Sequence, residues 1–241
     1  MKVISFCTPS HMGLYEKLFK PSFRRFDSTF DGYIHRVHTE QYTEEGNYMS
    51  DGWIKTQFNK VGFVLDYMNM VPTGTRFIFS DVDIVACNPF VSEFDEILNH
   101  HDVCFQASYS KPNFKVFHKD KKIQDKASIC SGFYGMVVND KTRNFIQTVV
   151  NDLEANTLKT RGDQYYFNLY KSTLNYKILP ATYLNPGLIT GGESFTEDHI
   201  PALKSFVEDH KNDLKIFHGN FTPTLVEKEN VVNLVNTMMT A

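Results

Sequence analysis

The chain has 241 residues, 41% hydrophobic and 22% charged, enough to bury one core of the larger α/β kind. A net charge of −3, with acids and bases interspersed, gives no electrostatic reason to expect nucleic acid or an anionic membrane as partner. No window approaches the ~20 apolar residues of a membrane-spanning helix, and Met1-Lys2 runs straight into Val3-Ile4-Ser5-Phe6 without the apolar stretch of a signal peptide, so a soluble protein is expected.

Lys2 to Cys7 is mostly apolar and alternates poorly, as a strand buried on both faces of a parallel sheet does. From Ser10 to Phe26 the residues Leu14, Leu18, Phe19, Phe23 and Phe26 fall near helical spacing. Tyr33 to Val37 offers a second strand. Trp53 to Met70 reads as an amphipathic helix with Trp53 in its core, ended before the turn residues Pro72-Thr73-Gly74. Phe77-Ile78-Phe79 is a short apolar strand that runs into Asp81-Val82-Asp83. Val103 to Ala107 and Ile129 to Val138 are further strands. Between them, Ser108 to Ser128 is polar, with Lys111, Lys115, Lys119, Lys121, Lys122 and Lys126 interleaved with Phe114 and Phe117, and reads either as a solvated excursion or as an acceptor-binding lid. Helices are expected over Thr142 to Leu158, Gln164 to Tyr170, Ile200 to His210 and Leu225 to Met238. Such alternation predicts a doubly wound, mostly parallel α/β sheet in a single domain, with ligands at the carboxyl ends of its strands. Cys7, Cys87, Cys104 and Cys130 are widely spaced and read as buried thiols, with no disulfide and no zinc expected.

Residues two apart in a strand share a face, so Asp81 and Asp83 should converge while Val82 turns into the core. Two hard oxygen ligands suit Mg²⁺ or Mn²⁺, and such ions commonly take substrate phosphates as further ligands. A loop-capping pair of aspartates is the plainer alternative.

The flanking residues are more specific. Phe77 to Val85 runs on to Asn88-Pro89-Phe90; later come Cys130-Ser131-Gly132-Phe133-Tyr134-Gly135-Met136, Gly162-Asp163-Gln164-Tyr165-Tyr166-Phe167-Asn168, Leu179-Pro180-Ala181-Thr182-Tyr183-Leu184-Asn185, and Phe217-His218-Gly219. In that order they resemble the small nucleotide-diphospho-sugar transferases of the glycogenin-like and plant xylosyltransferase-like families, over Val3 to about His218. The resemblance implies a GT-A, Rossmann-like fold, with a donor-binding half over about 1–107 and an acceptor and catalytic half over about 108–241. It implies a nucleotide-diphosphate sugar as donor, a UDP-sugar by default and a GDP-sugar next, a glycan or glycoprotein acceptor, and, from the Asp-Gln pair alone, retention of configuration, with inversion by Asp163 or another carboxylate as general base left open. Metal ligands would be Asp83, His218 and Asp81, the last directly or through water unless it holds the donor ribose, and imidazole leans the choice towards manganese. Asp163 would bind sugar hydroxyls and Gln164 lie near the anomeric carbon, although Asp163 also fits an N-cap, and the two roles can coexist. Thr8, Pro9 and Ser10 would border base and ribose; Lys55, if not a plain surface lysine, would touch phosphate or Asp81. Ser131 and Gly132 would approach donor or acceptor, Asn185 the acceptor, and Gly219 the metal loop. The phosphate-binding lysine expected soon after Gly219 is not evident, Lys228 lying too far along to assign. Because anchored members of this fold work in the secretory pathway, the chain is expected to act in a bacterial, phage or virus-infected cytosol.

Two other readings remain. Asp81-Val82-Asp83-Ile84-Val85 also fits a haloacid-dehalogenase-like phosphatase, but a full strand-helix-strand-helix unit precedes it, and Phe167 stands where the second downstream aspartate would be. A non-catalytic carbohydrate-binding protein of the same fold is the other.

Overall fold

The computed structural model describes residues 1–26, 34–37 (backbone only), 41–43, 50–108, 128–155 and 161–241. Within these, a six-stranded sheet has the order β2-β1-β3-β6-β5-β7, where β1 is Lys2–Cys7, β2 Ile34–Val37, β3 Arg76–Ser80, β5 Val103–Ala107, β6 Ile129–Val137 and β7 Tyr176–Ile178. Five strands run one way, and β6 alone is antiparallel to both neighbours, β3 and β5. The sheet is therefore mostly parallel, as its strand-helix alternation implies. The lysine-rich stretch lies, apart from Ser108 and Ser128, outside the described residues, as do Tyr33 and 156–158.

Alternation along β3 sorts its side chains between two cores. Phe77 and Phe79 pack with Phe63, Tyr67, Phe105, Tyr134, Phe145 and Phe167 under the helices α2 (Trp53–Met70), α4 (Asp140–Glu154) and α5 (Asp163–Tyr170). Ile78 faces Tyr15, Phe19, Phe23, Phe90, Phe94 and Phe133 on the other side. There the first helical run, α1, passes from a 3-10 turn (Pro9–His11) through Met12–Leu14 and a π-turn (Tyr15–Phe19) to Lys20–Arg24. Pro21 comes one residue after that π-turn; its ring has no N–H to give and crowds the carbonyl four residues back, so a wider turn suits the place. The short helix α3 (Val91–Ile97) supplies Phe94 to the same core.

A second sheet, β4-β9-β8, has no counterpart in the sequence reading beyond the short strand that Lys215-Ile216-Phe217 suggest before His218. Its strands are β4 (Ile84–Ala86), β8 (Tyr183–Leu184) and β9 (Ile216–His218), each too short for periodicity to reveal. Val85, Leu184 and Phe217 pack here with Leu203 and Val207 of α7 (Ile200–Asp209) and Val231, Val232 and Val235 of α8 (Leu225–Thr240); α6 (Gly187–Thr190) borders them. All four cysteines are buried and free. No helix among the described residues is long and apolar enough to cross a membrane.

Candidate functional site

The chain leaves the first sheet at Ser80 and enters the second at Ile84, so Asp81-Val82-Asp83 is a turn between two sheets and not the end of a strand. The expected convergence of the carboxylates is present, but register produces it. Asp81 N–H donates to Gly132 C=O at 2.7 Å, tying the turn to β6, and Ile84 pairs with His218 on β9. Gly219 N–H donates to Asp83 C=O at 2.8 Å. Val82 is buried, as anticipated.

Three side chains thereby meet: a carboxylate oxygen of Asp81, one of Asp83 and a ring nitrogen of His218 all lie within 4.8 Å of one another. His218 Nε2 is 3.2 Å from Asp83 Oδ1, and Lys228 Nζ, on α8, is 2.6 Å from Asp83 Oδ2. On the far side Lys60 Nζ, on α2, lies 2.7 Å from Asp163 Oδ2 and 3.3 Å from Asp81 Oδ1. Burial alone would push Lys60 down, but Asp163 and Asp81 hold it above the ordinary lysine value. Burial raises Asp81, against the pull of Lys60. Asp83 is also buried, yet Lys228 and His218 hold it well below the usual carboxylate range. His218 loses to burial and gains more from Asp83, which carries it up to about 10. The two aspartates thus sit in opposite electrostatic settings.

This donor set fits a hard divalent cation. Asp83 Oδ1 is buried and has no hydrogen bond of acceptable geometry among the described residues, the condition of an acceptor shaped for a ligand. Two carboxylate oxygens are donors that Mg²⁺ and Mn²⁺ favour, and the imidazole nitrogen leans the set towards manganese of the two. Gly132 is required beside them: a Cβ there would stand 2.4 Å from His218 Cε1 and 2.5 Å from Asp81 Oδ2.

The cluster floors a cavity of about 860 Å³ that also contains Thr8, Ser131, Gly132, Asp163 and Gln164. Asp163 opens α5 after Gly162, where an anion is favoured. Its carboxylate takes Lys60, the Gln164 backbone N–H at 2.7 Å, and Gln57, whose amide in the orientation its neighbours require donates at 2.8 and 3.0 Å while accepting from Trp53 Nε1 at 3.3 Å. Gln164 turns its amide to Ser108 Oγ at 3.3 Å. Trp53 is not core, as its size suggests, but half-buried in the cavity wall, against Gly162, where a Cβ would meet its ring at 2.2 Å.

Other expectations are corrected by position. Lys55 points away, its ammonium 4.0 Å from the Tyr42 ring centroid, and Lys60, one and a half turns on, occupies the place assigned to it. Pro9 and Ser10 stand beside the cavity and do not line it; Ser10 N–H is held by Gln41 Oε1 at 3.0 Å, and His11 lines the wall instead. Asn185 is buried against the Ala107 carbonyl, outside the cavity wall; Gly219 also stands outside the wall, but its N–H to the Asp83 carbonyl ties it to the Asp81–Asp83 turn. Lys228, which chain distance set aside, reaches the cluster because α8 folds back over β9. One signal could have found both lysines. Lys60 is in helical phase with the buried Phe63, Val64 and Tyr67, and Lys228 with Val231, Val232 and Val235, so each is a charge at a core-facing position.

The family model described as nucleotide-diphospho-sugar transferase matches residues 23–232. No curated protein matches the chain by sequence. Among solved structures, a glycosyltransferase involved in the glycosylation of the major capsid of PBCV-1 is 13% identical with a TM-score of 0.59, covering 96% of this chain and 98% of that one. The galactosyltransferase LgtC, in complex with donor and acceptor sugar analogues, is 10% identical at 0.54, covering 100% and 97%. The glycosyltransferase GlyE of Streptococcus pneumoniae TIGR4 is 13% identical at 0.54, covering 99% of this chain and 61% of that one. At such identities the likeness establishes the GT-A fold.

Proposed function

The chain belongs to the nucleotide-diphospho-sugar transferase family of glycosyltransferases, and from that premise we propose a metal-dependent, retaining enzyme that moves a sugar from a nucleotide-diphosphate donor, a UDP-sugar by default, to a hydroxyl of a glycan or glycoprotein. The observation that carries this reading is the meeting of Asp81, Asp83 and His218 on the cavity floor. Those three would hold Mn²⁺ or Mg²⁺, which when bound neutralises charge developing on a departing diphosphate. Lys228, which lines the cavity with its ammonium on Asp83 Oδ2, is placed to meet a phosphate oxygen as well, the role first sought after Gly219.

Asp163 supports retention. An inverting enzyme needs a carboxylate free to take the acceptor proton, and a base must reach that proton within hydrogen-bond distance. Asp163 is only 3% exposed and engaged by Lys60, Gln57 and its own helix. Asp81 and Asp83, the other carboxylates among the described lining residues, are ion-paired on the floor. Asp163 is thus built to hold sugar hydroxyls, with the Gln164 amide beside the reacting carbon. The donor half over about 1–107 then borrows His218 and Lys228 from the half over about 108–241. At the outer end of the cavity Tyr165 and Leu169 of α5 are exposed and Arg161 lies 4.6 Å from the Tyr165 ring centroid, a surface suited to one apolar face of an acceptor sugar.

A thermal-shift screen of UDP, GDP, CMP and dTDP, each with and without Mn²⁺, tests this. A ligand at ~100 times its dissociation constant adds about 2.7 kcal/mol, a rise of about 5–10 °C for a chain of this size. Stabilisation by one nucleoside diphosphate only when metal is present is expected, and it should vanish in Asp83→Ala. No response to any nucleotide would overturn the transferase reading. Once the donor is known, NMR of the product anomer is expected to show an α-linkage from an α-linked donor; a β-linkage would remove Asp163 and Gln164 from their roles.

A further inference from the structure

His218 has two ring nitrogens, and only one faces the carboxylates. Its Nδ1 lies 2.9 Å from Gln106 Oε1, and both residues are buried. Gln106 cannot turn its amide round: Nε2 donates to the Tyr183 carbonyl at 3.1 Å and the Leu184 carbonyl at 3.2 Å, two acceptors that demand the NH₂ end. The oxygen therefore faces His218, and an oxygen can only accept. Nδ1 must carry the hydrogen, whatever the state of Nε2. Backbone geometry makes the same point, since the register of β5 against β6 shifts between Phe105 and Ala107, putting Gln106 at a β-bulge, a device that re-aims one side chain. Here it aims an amide out of the first sheet at β8 and β9 of the second.

We propose that Gln106 is a positioning residue that fixes the hydrogen of His218 on Nδ1 and so presents Nε2 to a divalent cation held with Asp81 and Asp83. The proposal rests on the reading of His218 as a metal ligand given above. Among the described residues the other group near Nδ1 is a poorer acceptor: Cys130 Sγ is 3.7 Å away and already accepts from Gly132 N–H at 3.4 Å. Outer partners of this kind are typically worth about 10–100-fold in metal affinity.

Mn²⁺ alone serves as the probe, its binding read from loss of the free-ion electron paramagnetic resonance signal. The wild type, Gln106→Met, His218→Ala and the double variant are compared. Gln106→Met, similar in shape and with only the weak acceptor of a thioether, should weaken binding about 10–100-fold, and the double variant should bind no more weakly than His218→Ala alone. Unchanged affinity in Gln106→Met, or losses that simply add, would overturn the positioning role. If His218→Ala itself binds Mn²⁺ like the wild type, the metal reading falls and the positioning role with it. A second measurement needs no variant: ¹⁵N-resolved NMR of the metal-free wild type should show a slowly exchanging imidazole N–H on Nδ1 of His218. A bare Nδ1 would overturn the proposal even where Gln106→Met fails to fold.

Discussion

Lys60 holds its ammonium between two carboxylates brought from different elements, Asp81 from the turn after β3 and Asp163 from the start of α5. Its value lies less in the net strength of either pair than in what its loss would leave behind. Desolvation offsets much of the attraction in a buried ion pair, whereas removing one partner strands a buried charge at a cost of about 3–5 kcal/mol. Lys60→Met is therefore expected to lower stability by about that amount in urea unfolding. A loss below about 1 kcal/mol would mean that Gln57 and solvent alone keep the two aspartates apart. At this scale the residue types were legible: two aspartates, an Asp-Gln pair and a histidine are conspicuous where they stand. The lysines that hold them are legible only through their helical phase with apolar neighbours, which marks a core-facing charge without naming the carboxylate it meets.

Short elements aim these side chains. The three-residue turn from β3 to β4 crosses between sheets, and the start of α8 carries Lys228. That start is a capping box: Thr224 Oγ1 accepts from Glu227 N–H at 3.2 Å and Glu227 Oε2 accepts from Thr224 N–H at 3.0 Å. Because Lys228 follows Glu227 directly, the box fixes the turn from which its ammonium reaches Asp83. Thr224→Ala should cost about 1 kcal/mol of stability and also weaken metal-dependent nucleotide binding. Lost stability with unchanged nucleotide affinity would separate the cap from the site. The long helices over Trp53–Met70 and Leu225–Thr240 stand close to their expected places, since many periodic positions vote together. β4, β7 and β8 have two or three residues each and only their partners define them.

For the molecule as a whole, two histidines near one another set opposite pH limits. Burial and Lys228 lower His11 to about 4, so it stays neutral where the unfolded chain takes up a proton, and stability falls as pH drops from about 6.5 to 4. Asp83, held low, adds a further loss at still lower pH. His218, raised to about 10 by Asp83, keeps a proton that the unfolded chain releases above about 6.5, so its contribution is full below that pH and is lost as pH rises through about 10. Cys7, Cys87 and Cys104, pushed by burial up to about 12, act the same way only from about pH 9. The metal-free protein is therefore expected to be most stable near pH 6.5, and His218→Gln should flatten the decline between pH 6.5 and 9. Thermal unfolding in a chelator checks this, and a wild-type stability that climbs to pH 9 would exclude the His218–Asp83 pairing.

The sequence by itself determined the fold class, the long helices, the central strands and most of the chemistry-bearing residues, because apolar periodicity and ordered motifs are local and survive in one dimension. It placed Asp81, Asp83, Asp163, Gln164 and His218 on the list from which the cavity floor and wall are built. Only the tertiary structure decided which cations meet them, that Asn185 lies against the Ala107 carbonyl, and that Gln106 stands behind His218. Those contacts join residues far apart in the chain, 78 positions where Asn185 meets Ala107 and 145 where Lys228 meets Asp83. They depend on the register between strands and on a crossing from one sheet to another, and strand pairing is a property of two segments that neither segment encodes alone.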